Sequence, residues 1–550
     1  MKIVYFMEKP DEQVGMLISI GTEEGQHRTI IEKINNFYKK LTSKKTFDIE
    51  NFDDFICAFK KCNSIGLCSI LLQIATNCYY LYDSQSKIIK HRNYYEKIIN
   101  YMIVNTGPIY QNIQVMNTFI NRNNSYRYAY HDISNVELFK NIAKLQSKLC
   151  PDLLYNCKIK EIKEIKESKK IKVGFISDFL ITFHSVTKDR LGIIKHLYND
   201  PDFDVKIMTR KSNKHLFYDK IMSDIDSSTL IIQMKEGDLV SNRQQILEED
   251  FDIIIYPEIG MCQQTRFISF SRLAPIQINT WGHSDTSGLP NIDYFVSSKY
   301  FNSKEDQSHY SEKLILFDSL GTYYYDVFNF FKNEIQIVDE CENEQDNLRN
   351  DIIEKTGIEN PNIYGCIQIF IKIHPSFIGM LNEILKVDEN AIIVLLSTKQ
   401  GDNDDVILKN YIKSKINFIE RIYFIYQVPF TQYAKNIKSC DLILDYYPFG
   451  GFNSTIESFL LGKICITCAG ERISGKFTQG LYRKMGITEF ICDSEQEYIS
   501  KAVKYGKNFD ERKKYEGMIL ENVGKIIEEK ESVEEWKIFL KKIYNQKNNL

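Results

Sequence analysis

The chain has 550 residues, too many for one hydrophobic core, so two to four domains are expected. Hydrophobic content of 43% and charge of 26% exclude a disordered or collagen-like chain. Lys and Arg number 70 against 73 Asp and Glu, and a net charge of -3 lacks the basic surplus that nucleic-acid binding needs.

Residues 13 to about 155 repeat apolar side chains at helical spacing with few Gly or Pro. Ile30, Ile31, Ile34, Phe37 and Tyr38 show it first, then Leu67 to Tyr82, then Tyr94 to Ile103. An all-α N-terminal domain is expected over 1–156; a helical repeat array is one form it can take, although no period stands out. The run CKIKEIKEIKESKKI (157–171) reads as a charged linker or solvated helix. Strands are then expected at Lys172 to Asp178, Phe203 to Met208, Asp252 to Tyr256, Ile276 to Thr280 and Tyr294 to Ser297, with helical stretches between. That alternation predicts a parallel, doubly wound α/β domain over 172–330.

An acidic, irregular segment (331–360, containing VDECENEQDN) reads as a linker. A second α/β domain over 361–507 follows, with strands at Gly365 to Phe370, Ala391 to Leu396, Ile422 to Tyr426, Leu442 to Leu444 and Ile464 to Thr467. Helices rich in Lys and Glu fill 508–550. Two such sheets in tandem place a ligand crevice between the carboxyl ends of their strands.

The 13 Cys are odd in number and mostly in apolar contexts (Cys57, Cys68, Cys366, Cys465). Neither Cys57 with Cys62 nor Cys465 with Cys468 has a second cluster or a nearby His, so free thiols in a reducing compartment are expected and no metal site. The apolar run in MKIVYFMEKPDEQ is too short for a signal peptide, and no segment has membrane-spanning length. A cytoplasmic protein with no membrane span is expected.

Asp441 to Gly486 carries the most chemistry. Leu442, Ile443 and Leu444 run into Asp445, the turn Pro448-Phe449-Gly450-Gly451 follows, and a helix begins near Asn453, Ser454 and Thr455. Asn453 or Ser454 is the expected N-cap. Such a start offers unpaired N–H groups and the positive end of the helix dipole to a phosphate. Glu457 lies one turn further on the same face, where a carboxylate can take ribose hydroxyls.

Several blocks, in order, resemble the O-GlcNAc transferase and Spindly-type glycosyltransferases, a group that includes the bacterial adhesin N-glucosyltransferases. They are VGFISDF with His184-Ser185-Val186, Arg272 to Ser298, Phe370 to Pro375 (FIKIHP), and Asp441 to Gly486. The resemblance spans roughly Lys172 to Lys507. It implies the GT-B architecture, two Rossmann-like domains facing a cleft, and inverting transfer from a nucleotide sugar to protein side chains without a metal or other cofactor. It assigns Lys372 to the departing diphosphate and His184 to the catalytic base or to positioning of sugar or acceptor. It implies donor contacts from Gly450, Gly451, Asn453, Ser454, Thr455 and Glu457, the last standing where relatives more often have Asp. The segment Val428 to Lys438 resembles the piece that grips uracil, with Tyr433 where some relatives have His and Phe430 where O-GlcNAc transferases have Lys. Gln368 stands four residues before Lys372, where the O-GlcNAc transferase Gln precedes its Lys by three. The resemblance implies a further sugar contact from His283.

Glu258 in Pro257 to Met261 is expected to cap a turn, and His374, close after Lys372, either to belong to the site or to have a surface role. Arg472, Lys476 and Arg483 either face the diphosphate or solvate a helix. The leading expectation is transfer of GlcNAc from a UDP-sugar to Ser or Thr of a protein acceptor. The alternatives are N-glucosylation of Asn, fucosylation from GDP-fucose, or a non-catalytic nucleotide-sugar-binding scaffold.

Overall fold

The computed structural model describes residues 81–120, 125–156, 170–330 and 346–548. The expected helices around Ile30 to Tyr38, and all of Leu67 to Tyr82 before Leu81, lie outside these residues. The helix Gln85–Asn105 covers the third expected stretch, and Val136–Leu149 packs beside it. Both turn Tyr95, Ile99, Phe139 and Ile142 into a core shared with Ile176, Ile254 and Tyr256 of the next domain. The N-terminal helices therefore rest on one face of the first sheet.

That sheet holds β1 (Ile171–Ile176), β2 (Phe203–Thr209), β3 (Ile231–Gln233), β4 (Ile253–Tyr256), β5 (Ile276–Thr280), β6 (Tyr294–Ser298) and β7 (Lys313–Phe317). Every pairing is parallel, in the order β3-β2-β1-β4-β5-β6-β7. The second sheet holds β8 (Asn362–Cys366), β9 (Ala391–Leu396), β10 (Ile422–Ile425), β11 (Leu442–Leu444), β12 (Cys465–Cys468) and β13 (Ile491–Cys492). It too is parallel, in the order β10-β9-β8-β11-β12-β13. In each sheet the order reverses beside the first strand, between β1 and β4 and between β8 and β11. Those reversals are where open α/β sheets bind ligands.

The two-domain GT-B expectation holds, with local differences. The strand expected to reach Phe370 stops at Cys366, and Phe370–Lys372 is a short 3-10 turn. β3, β7 and β13 are not among the expected strands; β3 and β13 are only three and two residues long, whereas β7 carries the apolar run Leu314 to Phe317. The helix Asp346–Thr356 occupies much of the expected linker. The C-terminal helix Lys530–Asn548 crosses back to the first domain. Its Glu535 accepts the N–H groups of Asp318 and Ser319 at 2.8 Å each, and the Trp536 indole donates to the Gly321 carbonyl at 3.0 Å. Trp536 is fully buried against Phe317.

Candidate functional site between the two sheets

A cavity of about 300 Å³ opens between the two domains. Its second-domain wall begins after β8. Gln368 is buried there and spans two partners: its Nε2 donates to Asp445 Oδ1 at 2.8 Å, and its Oε1 accepts from Lys372 Nζ at 3.0 Å. Gln368 thus positions Lys372, whose ammonium sits 4.6 Å from the centre of the Phe449 ring. Burial brings the Lys372 pKa down to about 8, against the opposing pull of the Asp445 charge. Lys372 is therefore a cation at neutral pH with little water to stabilise it, which suits it to an anionic ligand.

Asp445 closes β11 and also accepts the Gly451 N–H at 2.8 Å and the Thr467 hydroxyl at 2.9 Å. Burial raises its pKa while these donors oppose the rise. A side chain at Gly450 would meet Asp445 Oδ2 at 2.6 Å, so the turn needs glycine there. The bond to Asp445 folds the Pro448 to Gly451 turn back over the strand end and aims the next helix at the cavity.

That helix is Asn453–Leu460. Its N-cap is Phe452, one residue before the expected cap, and no side chain caps it. Asn453 and Ser454 line the cavity, so an uncapped helix start faces the same space as Lys372. Thr455 turns inward, its hydroxyl 2.9 Å from that of Thr478.

The first-domain wall comes from the helix Ser185–Tyr198 and the turn after β5, through Ser185, Lys188, Asp189, Trp281, Gly282 and Ser284. Lys188 reaches across and donates to Glu457 Oε1 at 2.5 Å, and the Tyr324 hydroxyl donates to the same oxygen at 3.4 Å. Asp189 is buried, and its Oδ1 has no hydrogen-bond partner.

Of the residues named from sequence, Gln368, Lys372, Gly450, Asn453, Ser454 and Glu457 line this cavity; Gly451 and Thr455 lie just behind it. His184 is half-buried beside it and is the N-cap of Ser185–Tyr198: its Nδ1 accepts the Val186 N–H at 3.2 Å, and its ring stacks on Phe179. Burial and the neighbouring Lys188 lower its pKa to about 4. It is neutral with its proton on Nε2, and so presents a donor rather than an acceptor. His374 and His215 cap helices through Nδ1 in the same way. His374 is buried rather than superficial, and its Nε2 lies 2.9 Å from Gln85 Oε1 of the N-terminal helices.

His283 is buried against Gly260, with its pKa lowered to about 4 by burial and Arg266, and is not part of the cavity wall. Val428 is exposed. Tyr433 belongs with Phe430 to an aromatic cluster in which Phe430 stacks on Phe328 at 5.0 Å and meets Phe183 edge-on. Lys476 pairs with Asp306, and the Glu471 and Arg472 N–H groups donate to Asp132. Sequence reasoning missed Lys188 and Asp189. Their only signal was the charged run Lys188-Asp189-Arg190 in the first two turns of a helix that is mostly buried.

Two parallel sheets facing a cleft define the GT-B architecture. Comparison with known proteins agrees. Residues 357–525, most of the second α/β domain, match the model of Glycosyl transferase family 41. A UDP-glucose:protein N-beta-glucosyltransferase of Actinobacillus pleuropneumoniae is 26% identical over 289 residues, covering 51% of this chain and 42% of that protein. The probable UDP-N-acetylglucosamine–peptide N-acetylglucosaminyltransferase SPINDLY of Arabidopsis thaliana is 21% identical over 354 residues, 61% of this chain and 35% of that protein. The chain thus spans less than half the length of these curated relatives. A mutant O-GlcNAc transferase of Thermobaculum terrenum shares the fold at a TM-score of 0.59 and 14% identity, covering 96% of this chain and 99% of that one. No helix among the described residues is long and apolar enough to cross a membrane.

Proposed function

We propose that this protein transfers a hexose from a UDP-sugar to a side chain of a protein acceptor. The uncapped start of Asn453–Leu460 and the Lys372 ammonium on one cavity wall carry this reading. Together they would hold the donor's diphosphate and neutralise the charge that grows as the sugar–phosphate bond breaks. Trp281, Gly282 and Ser284 form the opposite wall, where sugar and acceptor would meet. Glu457 would take ribose hydroxyls, sharing its carboxylate with Lys188. His184 would orient sugar or acceptor through its Nε2–H.

The greater identity to the N-glucosyltransferase favours glucose transfer to Asn over the GlcNAc transfer to Ser or Thr first expected. The SPINDLY likeness keeps the second reading in play. The test is mass spectrometry of peptides bearing Asn, Ser or Thr after incubation with UDP-glucose, UDP-GlcNAc or GDP-fucose, with Lys372→Ala as control. A 162 Da gain on Asn peptides with UDP-glucose, absent in the control, is expected. No transfer from any donor by a folded protein would overturn the enzyme reading and leave a binding scaffold.

A further inference from the structure

Asp189 sits where an anionic ligand makes a carboxylate costly. It lines the cavity wall facing the uncapped helix start, beside the Asn453 side chain. It is 3% exposed, and its Oδ1 has no hydrogen-bond partner. Two cations flank it on its own helix: Lys188 is committed elsewhere, while the Nε and Nη2 of Arg190 have no hydrogen-bond partner. Lys188 is bonded to Glu457; Arg190 donates to the Gly321 carbonyl at 2.8 Å and lies over the Trp281 ring at 4.4 Å. Neither forms an ion pair with Asp189. Across the cleft it faces the Glu457 carboxylate and the Asn453 side chain, which hydrogen-bonds to it, and on its own side the Tyr324 hydroxyl; none of these supplies positive charge.

We propose that Asp189 is a direct ligand of the donor's diphosphate, taking up a proton as the nucleotide sugar binds and donating it to a phosphoryl oxygen. This rests on the donor reading above. Solvent supplies the proton and no covalent bond changes: the carboxylate becomes a carboxylic acid whose O–H points at the anion. The alternative, an ionised Asp189 beside a diphosphate in a dry cleft, sets like charges together at low dielectric. Asp189 is already poised, because burial pushes its pKa up to about 7 against the pull of Arg190 and the hydrogen bond from Asn453. An anion at close range pushes it further.

The experiment is calorimetry of UDP-glucose binding to the full chain in buffers of different ionisation enthalpy. The sugar-linked diphosphate does not itself titrate near neutrality, so proton uptake reports on the protein. At pH 7.5 the wild type is expected to take up about half a proton or more beyond Asp189→Asn, by linkage from the raised pKa. Asp189→Asn, which donates without titrating, is expected to bind at least as tightly as wild type at pH 8.5. Wild type alone provides a second measurement: its Kd should weaken by up to about tenfold per pH unit above pH 7. Binding with equal uptake in both proteins, or a Kd flat between pH 6.5 and 7.5, would overturn the role of Asp189 while leaving the donor reading intact. No binding of UDP-glucose, UDP-GlcNAc or GDP-fucose would instead overturn the donor reading and this inference with it.

Discussion

The two sheets share a topology, and they treat the place where their strand order reverses in opposite ways. Two residues beyond β1, Asp178 is locked to Arg210, accepting from its backbone N–H at 3.0 Å and its Nη2 at 2.6 Å. Arg210 also donates to Thr265, and Glu258 lies fully buried beside Ser177. That crevice is filled by its own side chains. Two residues beyond β8, Gln368 stands in the matching place and is neutral. It ties down Asp445 and leaves Lys372 facing space. Topology offers a ligand site in both sheets; the buried Asp178–Arg210 pair occupies the first, whereas Gln368 and Lys372 line the cavity at the second.

The comparison breaks first at Asp178. Asp178→Ala strands a buried guanidinium and should cost about 3–5 kcal/mol in chemical denaturation, with the donor site affected only through stability. In the open crevice, Lys372→Ala should do the reverse. Transfer should fall by about 10²–10³-fold in kcat/KM, a loss of the size seen when one donor to a developing oxyanion is removed. Its denaturation midpoint should not fall, because the lost charge was poorly solvated. A large loss of stability in Lys372→Ala with unchanged turnover would reverse the assignment of the two crevices.

Glu258 sharpens the contrast through pH. Burial raises its pKa from an ordinary 4.5 to about 8. Between those values the folded protein holds a proton that the unfolded chain has released, so stability falls as pH rises through that window and levels off above it. Glu258→Gln should therefore gain about 1–3 kcal/mol over wild type at pH 9 and nothing at pH 4.5, read from denaturation at both pH values. The smallest effect belongs to the other crevice. With the Lys372 pKa near 8, turnover should decline as pH rises through that value, and Lys372→Arg should move the decline upward in a pH profile of kcat/KM.

The sequence made the central strands of both sheets legible, because parallel strands buried on both faces read as unbroken runs such as Ile253 to Tyr256. Short edge strands such as Ile231–Gln233 leave no such mark. The second-domain wall was readable because strand, glycine turn and helix follow one another within a single segment. The first-domain wall was not, since Lys188 and Asp189 acquire meaning only when the second domain is brought opposite them. The three histidines that cap helices show the converse limit. Local sequence suggests their chemistry, and the Nδ1 bond that directs it is visible only in three dimensions.

The helix Lys530–Asn548 has a consequence for how this chain is made. A ribosome releases residues 171–330 long before that helix, yet the loop after β7 obtains partners for its Asp318, Ser319 and Leu320 amides only from Glu535 and Glu529. The earlier-synthesised half keeps this rim incomplete until residues 529–535 have emerged. Translation order and assembly order therefore run in opposite directions at this edge.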